Sequence, residues 1–326
     1  MKIGVIFTGG TIGSRHSEKG ILPSTDAPRH LLSLYREKYR DIYDFPTAEP
    51  YTILSENLNF THLEKLTNCV REKAKEWDGI ILTHGTDTLQ YTGAALSYLL
   101  GLCKIPVVLV SSNDTLTNSR ANGLDNFAAA VAFLRGTPDA KGVYIAYRNT
   151  GQTAAIHRAA RLLRHHAFDD AIFSRGGPVA EVADGAIHTV SEFSEAADGQ
   201  KPFSGKDLST IEGKVLFLVA HPGMAYPDPA AFSAVILETY HSGTLATDTG
   251  ALRQFAQTAK RCDVPIFLAG VPTGGTAYAS GNLFEELGLR PLPPLSPIAA
   301  YAKLCLALAD GRELTQALTA PLGGDL

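Results

Sequence analysis

Two short loops hold the residue types that could do acyl chemistry: Thr8-Gly9-Gly10-Thr11-Ile12-Gly13 and Thr83-His84-Gly85-Thr86-Asp87-Thr88. Each follows an apolar run that reads as a buried strand, residues 3–7 and 80–82. A threonine hydroxyl beside a carboxylate, with glycine allowing close backbone approach, can attack a carbonyl and hold an ammonium group. In an open α/β sheet ligands bind outside the carboxyl ends of the strands, so both loops are expected to serve one site. The plainer readings are a tight strand-to-helix connection at Gly9-Gly10-Thr11 and a helix cap at Asp87 or Thr88. Neither loop is Gly-x-Gly-x-x-Gly or a P-loop, which argues against a nucleotide.

The elements that must position these loops alternate in type. Residues 3–7, 80–82, 107–110 and 143–147 read as strands, while 61–77, 91–101 and 120–134 carry helical spacing. That alternation predicts a parallel α/β sheet. Thr61 and Glu64 have the spacing of a capping box for the first long helix. The polar stretch 191–212, with Asp198-Gly199-Gln200-Lys201-Pro202, breaks the pattern and reads as a linker. Strand-like runs resume at 215–219, 234–237 and 266–269. The expected organisation is an N-terminal catalytic α/β domain over 1–190, a linker over 191–212 and a smaller C-terminal α/β domain over 213–326.

Composition narrows the partner. With 326 residues, 45% of them hydrophobic, the chain can bury two cores. A formal net charge of −4 leaves no basic face for a phosphate backbone, so nucleic acid is not an expected partner and a small neutral or zwitterionic molecule is. No stretch has the length and apolarity of a membrane span, and Met1-Lys2-Ile3 runs into strand chemistry without the pattern of a secretory leader. Cys69, Cys103, Cys262 and Cys305 lie far apart in apolar contexts, which suits reduced core thiols and a cytoplasmic location. Arg164-His165-His166 reads as a solvated or interface patch on a helix, because no partner spacing accompanies it to make a metal site. His221-Pro222-Gly223 reads as a turn.

The motifs together resemble the bacterial-type asparaginases, in particular their cytoplasmic branch. The resemblance rests on both loops and on Gly20-Ile21-Leu22-Pro23, Tyr91-Thr92, Ala95-Leu96-Ser97, Pro106-Val107-Val108-Leu109, Gly123 with Asn126, and Tyr278-Ala279-Ser280-Gly281-Asn282, in the family's order. It implies a larger N-terminal flavodoxin-like domain with a mostly parallel sheet, a smaller C-terminal α/β domain, and a homodimer or homotetramer. It also implies hydrolysis of a small amide, asparagine first, without a metal or organic cofactor. Thr11 and Thr86 would flank the substrate, one of them attacking the side-chain amide, and Asp87 would bind the α-ammonium group. Gly10, Asn57, Gly85, Asp87 and Ser112 form the expected substrate-binding set.

Several positions depart from the family pattern. The lysine of its Gly-x-Arg-x-x-Lys segment aligns with Arg161 in Arg158-Ala159-Ala160-Arg161, and no lysine lies between Lys141 and Lys201. A guanidinium keeps its proton in a protein, so Arg161 can supply charge but cannot act as a base. The family's loop tyrosine becomes Ile21, with Ser14, Ser17, Ser24 and Thr25 as nearby hydroxyls. Its Asp-Ser-x-Asp/Asn-Met segment is aligned with Glu56-Asn57-Leu58-Asn59-Phe60, which gives Asn57 the carboxylate-binding role. Its Ser-Asp-Gly segment reads Ala121-Asn122-Gly123; later segments read His241-Ser242-Gly243-Thr244 and Leu295-Ser296-Pro297-Ile298. This clustering leaves open a different small amide or other acyl substrate, or a catalytically silent protein that keeps a small-ligand pocket.

Overall fold

The computed structural model describes residues 1–17, 20–23, 26–190, 198–273 and 278–326. Ser24 and Thr25 lie outside the described residues, as do the side chains of Ser17 and Ile21. In the N-terminal part the strands and helices are β1 (Ile3–Phe7), β2 (Ser14–Ser17), β3 (Gly20–Pro23), α1 (Ala27–Tyr39), β4 (Thr47–Ala48), α2 (Phe60–Lys73), β5 (Gly79–Thr83), α3 (Leu89–Leu100), β6 (Val107–Val110), α4 (Gly123–Gly136), β7 (Val143–Arg148), β8 (Ala154–Arg158), β9 (Ala180–Ala183) and β10 (Ala186–Thr189). The C-terminal part continues with β11 (Val215–Val219), β12 (Ala234–Glu238), α5 (Gly250–Arg261), β13 (Ile266–Ala269), β14 (Leu289–Pro291), α6 (Pro297–Ala309) and α7 (Leu314–Thr319).

The larger sheet has the order β10-β9-β8-β7-β6-β5-β1-β4 and the smaller one β11-β12-β13-β14. β4, β1, β5, β6 and β7 run parallel, whereas β8, β9 and β10 are added antiparallel. The smaller sheet is parallel throughout. Every residue of β1, β5 and β6 is buried, because helices cover both faces. Alternate side chains therefore feed two cores. Val5, Val108, Phe127 and Phe133 pack on one face, and Ile6, Leu82, Leu96 and Leu109 on the other.

Two local expectations are corrected. α2 starts at Phe60 on the N-cap Asn59, whose side chain accepts from His62 N at 3.0 Å, while Glu64 accepts from Leu208 N at 3.1 Å instead of closing a box with Thr61. Residues 164–166 are loop, not helix. The described part of the linker, 198–212, is packed: Phe203 and Leu208 are buried, and Asp198 accepts from Leu102 N and Gly323 N at 2.8 and 2.7 Å. Its polar residues cap backbone groups of both neighbours, so polarity here marks anchoring. The four cysteines are free, with Cys305 buried and Cys262 exposed.

Candidate active site

β1 and β5 are parallel neighbours with Phe7 opposite Thr83, so their following loops leave the same sheet edge side by side. Thr8 Oγ1 donates to the Thr83 carbonyl at 2.7 Å and ties the two exits together. Gly10 takes a φ of 73°, a left-handed value that glycine tolerates, and its α-carbon faces the second loop. A Cβ there would lie 2.3 Å from Gly85 N. A Cβ on Gly85 would in turn lie 3.2 Å from Gly10 Cα and 2.3 Å from Ser55 Oγ. The two loops therefore touch, backbone to backbone, and the threonine that follows each glycine is partly exposed at this junction.

A third segment completes the junction. Gly10 N donates to Ile53 O at 3.0 Å and Ile53 N to Thr8 O at 3.1 Å, which leads the chain into a 3-10 turn at Ser55–Asn57. Ser55 is buried against Gly85, and its carbonyl accepts from Thr88 Oγ1 at 2.9 Å. Asn57, expected in the site, is exposed in that turn. Ser55, absent from the expected set, is the side chain of this turn that lies against Gly85. Shifting the register by two gives Ser55-Glu56-Asn57-Leu58, which matches Ser-x-Asp/Asn-Met with leucine for methionine.

The capping reading of the second loop does not hold. Thr88 occupies the N-cap of α3 without a side-chain cap bond, since its hydroxyl serves Ser55, and the Asp87 carboxylate is exposed without a partner among the described residues. His84 holds the loop from beneath. Its buried ring has Nδ1 2.8 Å from the Gly85 carbonyl, an atom that only accepts, so Nδ1 carries the proton and Nε2 accepts from Thr92 Oγ1 at 2.9 Å. Burial pushes its pKa down to about 4, against the opposing effect of the Gly85 bond, and the ring is neutral near pH 7.

Other expected residues are committed elsewhere. Arg161 turns to the C-terminal segment, its Nε donating to Gly324 O at 2.7 Å and its Nη2 to Leu326 O at 2.9 Å. Ser112 is buried; its hydroxyl donates to Asp114 O at 2.5 Å and accepts from Gly123 N at 3.1 Å, shaping the loop after β6. Ser14 Oγ donates to Gly10 O at 2.7 Å and so braces the first loop. Ser296 is the N-cap of α6, accepting from Ala299 N at 3.1 Å, and the 240–244 segment closes on itself through Gly243 N to Tyr240 O at 2.8 Å. Among the described residues no group of histidine, cysteine and acidic side chains could hold a metal ion.

Comparison with known proteins places the chain in a family. The family model described as asparaginase, N-terminal, matches residues 2–194. The chain is 27% identical to an L-asparaginase of Thermococcus kodakarensis over 326 residues, covering 97% of this chain and 95% of that protein. The solved thermostable L-asparaginase from that organism superposes with a TM-score of 0.82 at 26% identity, covering 100% of this chain and 99% of that one. L-asparaginase 1 of Escherichia coli is 24% identical, with 99% and 97% covered. A glutamyl-tRNA(Gln) amidotransferase component of Metallosphaera sedula is 25% identical, with 97% of this chain and 74% of that protein covered. By the family match and by its two-sheet fold, the chain belongs to the asparaginase family of amidohydrolases.

Proposed function

We propose that the chain hydrolyses the side-chain amide of L-asparagine to L-aspartate and ammonia through a threonine nucleophile. The observation that carries this reading is the meeting of two threonine-bearing loops at Gly10 and Gly85 on one sheet edge. In the first half-reaction a hydroxyl oxygen of Thr11 or Thr86 bonds to the amide carbon, the C–N bond breaks, and nitrogen leaves as ammonia with the hydroxyl proton. Water then attacks the ester, releasing aspartate and restoring the hydroxyl. Asp87, exposed and unpaired among the described residues, is the group offered to the substrate's ammonium and to the proton traffic beside Thr86. Ser55 Oγ, held at the junction, takes over from Asn57 as the donor for a substrate carboxylate.

The engagement of Arg161 with the C-terminal segment favours a second reading, a small amide other than asparagine. Without a cation or base from that position, the loop chemistry must run on a different proton path. The same proposal includes a homodimer or homotetramer; the free thiols agree with the cytoplasm, and no helix among the described residues is long and apolar enough to cross a membrane.

The test is ammonia release from L-asparagine, D-asparagine, L-glutamine and simple amides by the purified protein. Release from L-asparagine supports the first reading, release from another amide alone supports the second, and silence across the panel overturns both. With an active substrate in hand, Gly10→Ala is expected to lower turnover about a hundredfold, because its methyl group drives the threonine loops apart. Initial rates together with circular dichroism check this, and turnover within twofold of the unaltered chain would refute the junction's role.

A further inference from the structure

The two sheets end on the edge strands β4 and β10 in the larger and β11 and β14 in the smaller. An edge offers unpaired N–H and C=O groups, which folded chains blunt by shortness, charge or proline. β4 has two residues, β10 ends in the exposed His188 and Thr189, and β14 carries Arg290 and Pro291, both exposed. β11 has none of these devices, being Val215-Leu216-Phe217-Leu218-Val219. In the neighbouring interior strand Ala234 to Leu237 are each 0% exposed, whereas Leu216, Phe217 and Leu218 are partly exposed and Val219 is 44% exposed.

The ladder fixes which backbone groups of β11 are open. Ser233 N donates to Lys214 O at 2.8 Å and Ala220 N to Glu238 O at 2.9 Å, so the even-numbered residues turn toward β12. In a parallel pair the residues between them turn the other way, which aims the N–H and C=O of Val215, Phe217 and Val219 at the open edge. These groups have no hydrogen-bond partner among the described residues. The Phe217 ring is held within its own chain, stacked on Tyr301 with centroids 5.4 Å apart and with the Arg164 guanidinium 5.2 Å from its centre. The strand therefore presents its backbone edge.

The order Val-Leu-Phe-Leu-Val reads the same in both directions, which suits a twofold axis through Phe217. An antiparallel copy so placed sets Phe217 opposite Phe217, where the outward N–H and C=O of both residues exchange hydrogen bonds, and sets Val215 opposite Val219 with their outward groups likewise matched. Leu216 then meets Leu218, and Lys214 meets Ala220, so the seam is apolar and no like charges face each other across it. We propose that β11 pairs with β11 of a second copy of this chain, joining the two smaller sheets into one. This places a seam within the homo-oligomer proposed above and is independent of the amide reaction.

The test is sedimentation equilibrium of the full chain together with hydrogen exchange at the Phe217 amide. The unaltered chain is expected to self-associate, with slow exchange at Phe217. Val219→Pro removes an outward N–H that β12 does not use, so the sheet within each copy is kept while the seam loses a hydrogen bond from each copy. The dissociation constant is expected to rise about tenfold or more, with fast exchange at Phe217 in the separated chains. Val219→Lys, which adds an edge charge without restricting the backbone, gives the same comparison if the proline variant fails to fold. A chain that is monomeric at every concentration would overturn both the seam and the homo-oligomer. An assembly that both variants leave unweakened, or one whose Phe217 amide exchanges fast, would overturn the seam alone.

Discussion

Thr86→Ala is expected to lower ammonia release by roughly a thousandfold or more, with the fold intact. Removing a nucleophile or its immediate partner forfeits the covalent route, and in other hydrolases such losses reach several orders of magnitude. Thr86 sits between Gly85, which touches the first loop, and Asp87, whose carboxylate is unpaired among the described residues, so its deletion leaves both neighbours in place. The side chain is partly exposed, so its loss opens no core cavity. Thr11→Ala is expected to act similarly from the facing loop. Thr→Ser at each position keeps a hydroxyl and is expected to retain measurable turnover. Mass spectrometry of quenched reactions separates the two roles, since the acyl adduct is expected on the attacking residue alone. Retention of more than about a tenth of the rate in Thr86→Ala would remove this threonine from the chemistry, since general acid–base or nucleophilic roles exceed that margin.

Lys303→Met is expected to destabilise the fold by about 3–5 kcal/mol, the usual cost of stranding one member of a buried ion pair. Lys303 Nζ lies 2.6 Å from Asp325 Oδ2, and both side chains are 0% exposed. Burial pushes the lysine's pKa below its ordinary value while Asp325 pulls it back up. The ammonium also donates to Ala320 O at 2.7 Å, and Asp325 Oδ1 accepts from Leu322 N at 3.0 Å. Arg175 Nη2 donates to the Asp325 carbonyl at 2.7 Å, so the pair fastens the C-terminal segment to both halves of the chain. Total stability of about 5–15 kcal/mol makes such a loss visible in urea unfolding. The double variant Lys303→Met with Asp325→Leu should recover most of it, because an apolar pair avoids desolvating two charges. A single-variant loss under about 1 kcal/mol would show that the pair is hydrated in solution.

The loops of the candidate site were legible in sequence because their residue types are neighbours along the chain. The strands before Thr8 and Thr83, the glycines at 10 and 85 and the threonine after each are neighbours along the chain, and their types alone imply strand, turn and hydroxyl. The asparaginase fold followed from the order of those motifs. The antiparallel strands β8 to β10 were not legible, because short runs such as Ala-Ile-His-Thr gain their partners only from the neighbouring strand.

What packing decided lies in contacts between distant segments. Ser55 rather than Asn57 reaches the junction because the pairing of Ile53 with Gly9 fixes the register of the turn that follows. Arg161, aligned with a catalytic lysine, instead binds carbonyls 163 and 165 residues further on. A sequence names a long cationic side chain but not its acceptor, which depends on the segment that folds back within hydrogen-bonding reach.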